Sequence, residues 1–265
     1  MSVDALKLTA EETQTSADNK GAPAAATKPA ARLALIIPTL REAENIRVVL
    51  DRVRASLDPL GMAYEILIVD DDSQDGIDAI VTEIAAEDPR VRLLVRKGER
   101  GLGGAVLYGW KHTAADVLGV MDADLQHPPE LLPRLWQAVE AGSDVVLASR
   151  YAPQGGLENW HPARHLLSRT AIWMTYPLQK KRIRVKDPMA GFFLVRRSCL
   201  RAVQMHNKGF KILLEILVRG EVQSVTEVPF TFGPRRAGTS KANLAVGLDY
   251  FRLLWRLWWY FRSTF

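Results

Sequence analysis

The segment VMDADLQHPPE, residues 120–130, sets two carboxylates, Asp122 and Asp124, on either side of one alanine, directly after the apolar run VLGV. Side chains of a strand alternate with a period of two, so a strand ending in Asp-Ala-Asp points both acids to one side. Carboxylates that close repel unless a cation lies between them. Hard oxygen donors suit Mg²⁺ or Mn²⁺, which bridge readily to a diphosphate. A polar turn closing the strand accounts for the same spelling, so the neighbouring residues have to decide.

Acids end a second apolar run, EILIVDDDSQDG, with Asp70, Asp71 and Asp72 in succession. Asp72 and Ser73 read as a turn followed by a helix cap. Asp70 and Asp71 could accept hydrogen bonds from a nucleobase or ribose, because an ionised carboxylate only accepts. The glycine cluster in ERGLGGAVLYGW (99–110) lacks G-x-G-x-x-G spacing, since position 106 is Val106, and it follows the third strand-like run rather than the first. That argues against a dinucleotide-binding dehydrogenase. Gly101, Gly103 and Gly104 either let a ligand approach the backbone closely or form a plain turn. RRAGTSK (235–241) is a basic loop whose Arg235, Arg236 and Lys241 could close over a diphosphate; an exposed loop is the plainer reading.

The elements that must position these residues are strand-length apolar runs at 33–38, 65–70, 91–97, 117–123 and 144–150, separated by helix-like stretches such as 41–57 and 73–88. Near-continuous apolar strands alternating with helices predict a mostly parallel sheet covered on both faces. Ligands of such sheets lie outside the carboxyl ends of the strands. Those ends carry Pro38-Thr39, Asp70-Asp71-Asp72, Asp122-Ala123-Asp124 and Ser149-Arg150. After residue 150 the pattern changes to a helix at 163–178, a strand in MAGFFLVRR, a helix in KILLEILVRG and a strand in VQSVTEVPFTF.

The single Cys199 excludes an intrachain disulfide or a multi-cysteine zinc site and points to a reducing compartment, and the five histidines lack ligand spacing. Residues 1–31, rich in Ala, Thr, Lys and Glu, have neither a signal nor a transit pattern and are expected to form a disordered tail, followed by one domain over 32–243 and an amphipathic helix over 244–265. No run of about 20 apolar residues is present to span a bilayer. The net charge of +5 suits nucleic acid, an anionic membrane surface or phosphorylated substrates. Its placement argues against nucleic acid, because the cations lie beside apolar, Trp-rich sequence. Arg164 and Ser168 fall one helical turn apart, ahead of the basic run Lys180, Lys181, Arg182, Arg184 and Lys186. In the C-terminal stretch Asp249, Arg252 and Arg256 share a sector of about 60°, leaving Trp255, Trp258 and Trp259 elsewhere on the helix. A core helix with a solvated loop explains the first of these segments, and a helix lying in a membrane interface explains both.

Eight segments taken together, IIPTLREAENI, IVDDDSQDG, RGLGGAVLYG, MDADLQHPPE, ASRY with Gly155-Gly156, DPMAGFFLVRR, KGFKILLEILVRG and EVPFTFGPRRAGTSK, resemble the dolichol-phosphate (polyprenyl-phosphate) mannosyltransferases of glycosyltransferase family 2. The resemblance covers residues 33–245 and implies a GT-A fold, a Rossmann-like sheet with helices on both faces. It implies inverting transfer of a hexose, mannose from GDP-mannose first, to a polyprenyl phosphate with Mg²⁺ or Mn²⁺. By this likeness Pro38, Leu40, Glu42, Val69, Asp71 and Ala123 meet the nucleotide-sugar donor. Asp122, Asp124 and Gln126 carry the metal and the donor diphosphate; Arg235 and Lys241 sit in a loop that closes on the donor. Arg150, Arg164 and Ser168 receive the acceptor phosphate, with Asp122, Asp124 and Arg150 as the catalytic set. The implied partners are the two substrates and a membrane surface, or a small membrane-embedded partner, with the enzyme peripheral on the cytoplasmic face. Leu40-Arg41 stands where the family commonly has Tyr-Asn, and Asp72 where Gly is frequent, which leaves the base and the sugar open. Glucose from UDP-glucose, and a non-catalytic nucleotide-sugar binder, are the alternatives.

Overall fold

The structure, a computed structural model, describes residues 31–157, 162–201, 203, 211–233 and 244–264. The strands are β1 (Leu33–Thr39), β2 (Tyr64–Asp70), β3 (Val91–Val95), β4 (Val117–Val120), β5 (Val145–Ser149), β6 (Gly156–Leu157), β7 (Phe193–Arg196), β8 (Val225–Pro229) and β9 (Thr231–Phe232). The helices are α1 (Ala43–Leu57), α2 (Ile77–Glu87), α3 (Leu102–Lys111), α4 (Leu132–Glu140), α5 (Pro162–Thr175), α6 (Ile212–Arg219) and α7 (Leu244–Thr264). The expected tail and the 235–241 loop, with Arg235 and Lys241, lie outside the described residues, apart from Ala31.

Seven strands form one sheet in the order β3-β2-β1-β4-β7-β5-β8. Every neighbouring pair is parallel except the two made by β7, which runs antiparallel to β4 and β5. The sheet is buried on both faces, as the unbroken apolar runs require. Along β1, Leu33, Leu35 and Ile37 pack with α1, α2 and α4, while Ala34 and Ile36 pack with α3 and α6. The chain runs from β1 outward to β3 and then returns to place β4 on the other side of β1, so a topological switch point lies between β1 and β4. Ligands of open α/β sheets bind at the carboxyl edge of such a crevice.

Three local expectations are corrected. β4 ends at Val120, not 123, so Asp122 and Asp124 belong to the turn beyond the strand and period-two alternation does not set their direction. Ser73 does not cap α2, which starts at Ile77 behind the left-handed Gly76; its hydroxyl instead donates to Asp70 Oδ1 at 2.5 Å and accepts from the Arg41 N–H at 2.8 Å. The single strand expected over 222–232 is two, β8 and β9, because Phe230 turns inward into the core between them.

Four non-glycine residues with positive φ crowd the carboxyl edge of β1, β2 and β4: Arg41 (61°), Asp72 (53°), Gln74 (51°) and Leu125 (61°). Arg41 and Asp72 are the two departures from the family spelling, and Asn and Gly, the family's residues there, are those that tolerate the left-handed region. Arg41→Gly is expected to raise stability by about 1 kcal/mol, since the left-handed conformation costs a side-chain-bearing residue about that much. Thermal unfolding checks this; an unchanged or lowered melting temperature would contradict it.

Candidate active site

The turn after β1, the acids after β2 and the acids after β4 meet at the switch point. Asp70 serves the backbone: it accepts from Thr39 Oγ1 at 2.8 Å and from Ser73 N at 2.8 Å, fixing the turns beyond β1 and β2 together. Asp71 is buried and joined to Arg96, whose Nε donates to Oδ1 at 2.7 Å, while Gly101 N–H donates to Oδ2 at 2.7 Å. The glycine cluster thus fits an internal cation. A Cβ on Gly104 would stand 2.3 Å from Arg96 Nη1, so the guanidinium occupies the space the missing side chain leaves. Val69 and Ala123 have side chains buried in the core, leaving their main chain at the edge. Glu42 accepts from Asn45 Nδ2 at 2.9 Å at the start of α1.

Beyond β4 the chain makes a tight turn through Leu125 in which Asp124 Oδ1 accepts from the Gln126 N–H at 3.1 Å and Gln126 Nε2 donates to the Gly233 carbonyl at 3.1 Å. Asp124 is buried; the Asp122 side chain remains 37% exposed, open to a ligand. His127 lies beneath them among Phe192, Phe230 and Phe232, its Nδ1 3.5 Å from Asp122 Oδ2. Burial pulls its pKa down to about 4, so the ring is neutral at neutral pH. Gly191, in the loop before β7, packs closely here: a Cβ would sit 3.1 Å from Asp122 Oδ2 and 3.3 Å from His127 Cε1, so a larger residue would press on both side chains.

The antiparallel β7 brings the loop that precedes it to the same edge. Asp187, fully buried, accepts two hydrogen bonds from the Arg150 guanidinium, both at 2.8 Å, and one from the Arg150 N–H at 3.1 Å. Despite burial, this pairing raises the Arg150 pKa and keeps the cation charged. Arg150 also lies over the Tyr151 ring at 5.5 Å and the Phe232 ring at 5.6 Å. Tyr151 Oη donates to Ser168 Oγ at 2.9 Å, linking α5 to the end of β5. Arg164 is in α5, with its side chain outside the described set. Lys211, at the start of α6, is within electrostatic reach of Arg150, Asp187 and Asp122; burial, then Arg150, lowers its pKa. Sequence reasoning missed Asp187, Lys211, His127, Gly191 and Arg96 as parts of this site. Only Asp187, a lone acid between a basic run and an apolar strand, left a local signal.

Among the described residues no group of three or more His, Cys, Asp or Glu side chains is placed to hold a metal ion. Two carboxylates and a nearby amide fit a Mg²⁺-type ion that completes its shell with water and substrate phosphate rather than with an all-protein cage. Gly104→Ala is expected to destabilise by about 1 kcal/mol, the shift it forces on the buried Arg96 guanidinium outweighing the helix propensity that alanine gains within α3. The midpoint of denaturant unfolding reads this directly, and a variant as stable as the parent would mean that the pair is not locked by the glycine.

The model for Glycosyl transferase family 2 matches residues 34–203. The dolichol-phosphate mannosyltransferase of Pyrococcus furiosus is 42% identical over 226 residues, 85% of this chain and 63% of that one, so this chain spans less than two thirds of that relative. The dolichol-phosphate mannosyltransferase of Saccharomyces cerevisiae is 37% identical over 84% of this chain and 86% of its own. The polyprenol monophosphomannose synthase of Mycolicibacterium smegmatis is 37% identical, covering 83% and 84%. Among solved structures, glucosyl-3-phosphoglycerate synthase from Mycobacterium tuberculosis with Mn²⁺, UDP-glucose and phosphoglyceric acid superposes with a TM-score of 0.61 at 18% identity over 86% of this chain and 79% of that one. A mannosyltransferase from Pyrobaculum calidifontis in complex with GDP-Man and Mn²⁺ gives 0.53 at 18% identity over 78% and 59%. These two likenesses show the GT-A type of fold. The family model and the curated relatives show that the chain belongs to glycosyltransferase family 2, alongside dolichol- and polyprenol-phosphate mannosyltransferases.

Proposed function

We propose that this chain transfers mannose from GDP-mannose, with inversion, to a polyprenyl (dolichyl-type) phosphate at the cytoplasmic face of a membrane. One observation carries the reading: the acid pair beyond β4 and the Arg150–Tyr151–Ser168 array beyond β5 share one sheet edge, so a place for a metal-bound diphosphate adjoins a place for a second anion. The curated relatives named above support mannose and the lipid acceptor.

In this reading Pro38, Leu40, Glu42, Val69, Asp71 and Ala123 line the nucleotide crevice at the switch point, and Asp122, Asp124 and Gln126 hold Mg²⁺ or Mn²⁺. Held there, such an ion would supply Lewis-acid stabilisation of the departing nucleoside diphosphate. The nucleophile, a phosphate oxygen of the acceptor, is already anionic at neutral pH, so no strong general base is required; the neutral, buried His127 fits a packing role under Asp122. Arg150, fixed by Asp187, presents a pre-oriented cation to the acceptor phosphate for in-line attack on the anomeric carbon, and Ser168 and Arg164 of α5 are assigned to the same phosphate. Arg235 and Lys241, outside the described residues, are assigned as cations for the donor diphosphate.

No helix among the described residues is long and apolar enough to cross a membrane. Yet α5 exposes Leu166, Leu167 and Trp173, and α7 exposes Phe251, Trp255 and Trp259. In α7, Tyr250, Leu253, Leu254 and Leu257 pack against Leu178, Leu214 and Val218, so its aromatic sector is left over after the core is satisfied. A groove of about 930 Å³ opens between α7 and the end of α5, lined by Met174, Trp255, Trp258, Arg256 and the Arg252–Asp249 ion pair. Aromatic side chains with cations beside them suit the headgroup level of a bilayer.

With GDP-mannose and polyprenyl phosphate, turnover is expected to vanish on chelation of divalent ions and to return with Mg²⁺ or Mn²⁺. Asp124→Asn should lower kcat about 10²-fold or more, the size expected for losing several kcal/mol of transition-state charge stabilisation. Turnover by Asp124→Asn equal to that of the parent would refute the metal assignment.

A further inference from the structure

A second cleft, of about 490 Å³, opens beside the acceptor array, lined by Tyr151, Arg169, Thr170, Trp173, Tyr176 and Lys186. That volume is the size of a small-molecule site. No carboxylate among the described residues lines it. The two acids near Lys186 are engaged elsewhere: Asp187 with Arg150, and Glu227 as acceptor for the main-chain N–H groups of Lys186 and Asp187, at 3.1 and 3.2 Å. Arg184 lies 5.5 Å over the Tyr176 ring and adds a third cation at the rim.

The cleft continues an exposed apolar stripe. At about 100° per residue Leu166, Arg169, Thr170 and Trp173 share one side of α5, and Leu166 and Trp173 are 67% and 70% exposed. A helix resting on a bilayer along this stripe would carry the leucine and tryptophan into the acyl boundary and set Arg169 and Lys186 at the level of the headgroup phosphates. The aromatic walls accept the glycerol and first methylenes, and the cations accept the phosphate.

We propose that this cleft binds the headgroup of an anionic phospholipid of the bilayer, separately from the phosphate of the acceptor. The proposal rests on the reading that the protein works at a membrane surface and names the lipid class that surface must contain. It makes attachment selective for anionic membranes and orients the Arg150 array toward the plane from which the acceptor arrives.

The full chain, the double variant Arg169→Gln/Lys186→Gln, and a control double variant Lys181→Gln/Arg182→Gln outside the cleft are titrated with dihexanoylphosphatidylglycerol below its micelle concentration, and with the phosphatidylcholine analogue. The parent and the control are expected to bind the glycerol lipid saturably. The cleft variant should bind about ten-fold more weakly or worse, as loss of charge-assisted hydrogen bonds requires. The choline analogue should bind the parent about as weakly. Absence of saturable binding, or a cleft variant that binds like the parent, overturns the proposal. So does a raised KM of the cleft variant for a short-chain acceptor in detergent, which would assign the cleft to the acceptor. Sedimentation with phosphatidylcholine–phosphatidylglycerol vesicles separates the two readings. A parent that stays in solution sinks the membrane reading itself, whereas one that sediments with the cleft unfilled by the short lipid sinks only the headgroup site.

Discussion

The buried carboxylate of Asp187 fixes the guanidinium of Arg150 through two side-chain hydrogen bonds and one from the main chain, and the arrangement of the anion-handling edge follows from that contact. Removing either partner would leave a buried charge without its counterion, a loss of several kcal/mol, so the pair is over-determined in the folded chain. Its geometry depends on β7 entering the sheet antiparallel between β4 and β5. That strand delivers Asp187 to Arg150 and Gly191 to the side of Asp122. The acid turn and the basic array therefore sit next to each other because one reversed strand supplies a residue to each.

The same economy appears at the other side of the switch point. Asp70 spends its lone pairs on Thr39 and Ser73, which locks the loops after β1 and β2 into the left-handed conformations seen at Arg41, Asp72 and Gln74. Asp71 holds Arg96 and the Gly101 amide. Three successive acids that look alike in sequence thus have different structural surroundings, and the crevice is shaped by internal hydrogen bonds before any ligand enters. Backbone strain collected at an edge where ligands bind is a common mark of a functional loop.

The parallel sheet was legible because strands buried on both faces must be apolar almost throughout, and the runs at 33–38 and 65–70 announce themselves for that reason. Strand ends were less legible. β4 stops at Val120 because pairing with β1 stops at Ile36 and with β7 at Phe193, facts of register that the local sequence of VMDADLQ does not contain. The reversal of β7 was equally invisible, since MAGFFLVRR is as apolar as a parallel strand. Asp122, Asp124 and Arg150 stood out in the sequence because charged residues at the ends of buried strands are costly to place without a purpose. Arg96 and His127 were missed because each is polar in sequence and buried only by distant chain: Arg96 by the gap at Gly104, His127 by three phenylalanines from residues 192, 230 and 232.

The central claim, that two anionic substrates are joined at this edge, is tested most directly by mass spectrometry of the organic extract after incubation with polyprenyl phosphate and an equimolar mixture of GDP-mannose and UDP-glucose whose hexoses carry different numbers of carbon-13 atoms. The account predicts a hexosyl phosphoryl polyprenol whose label derives from GDP-mannose and whose anomeric configuration, read by NMR of the purified product, is inverted relative to the donor. Free sugar without a lipid product, or a lipid product labelled from UDP-glucose alone, would contradict it.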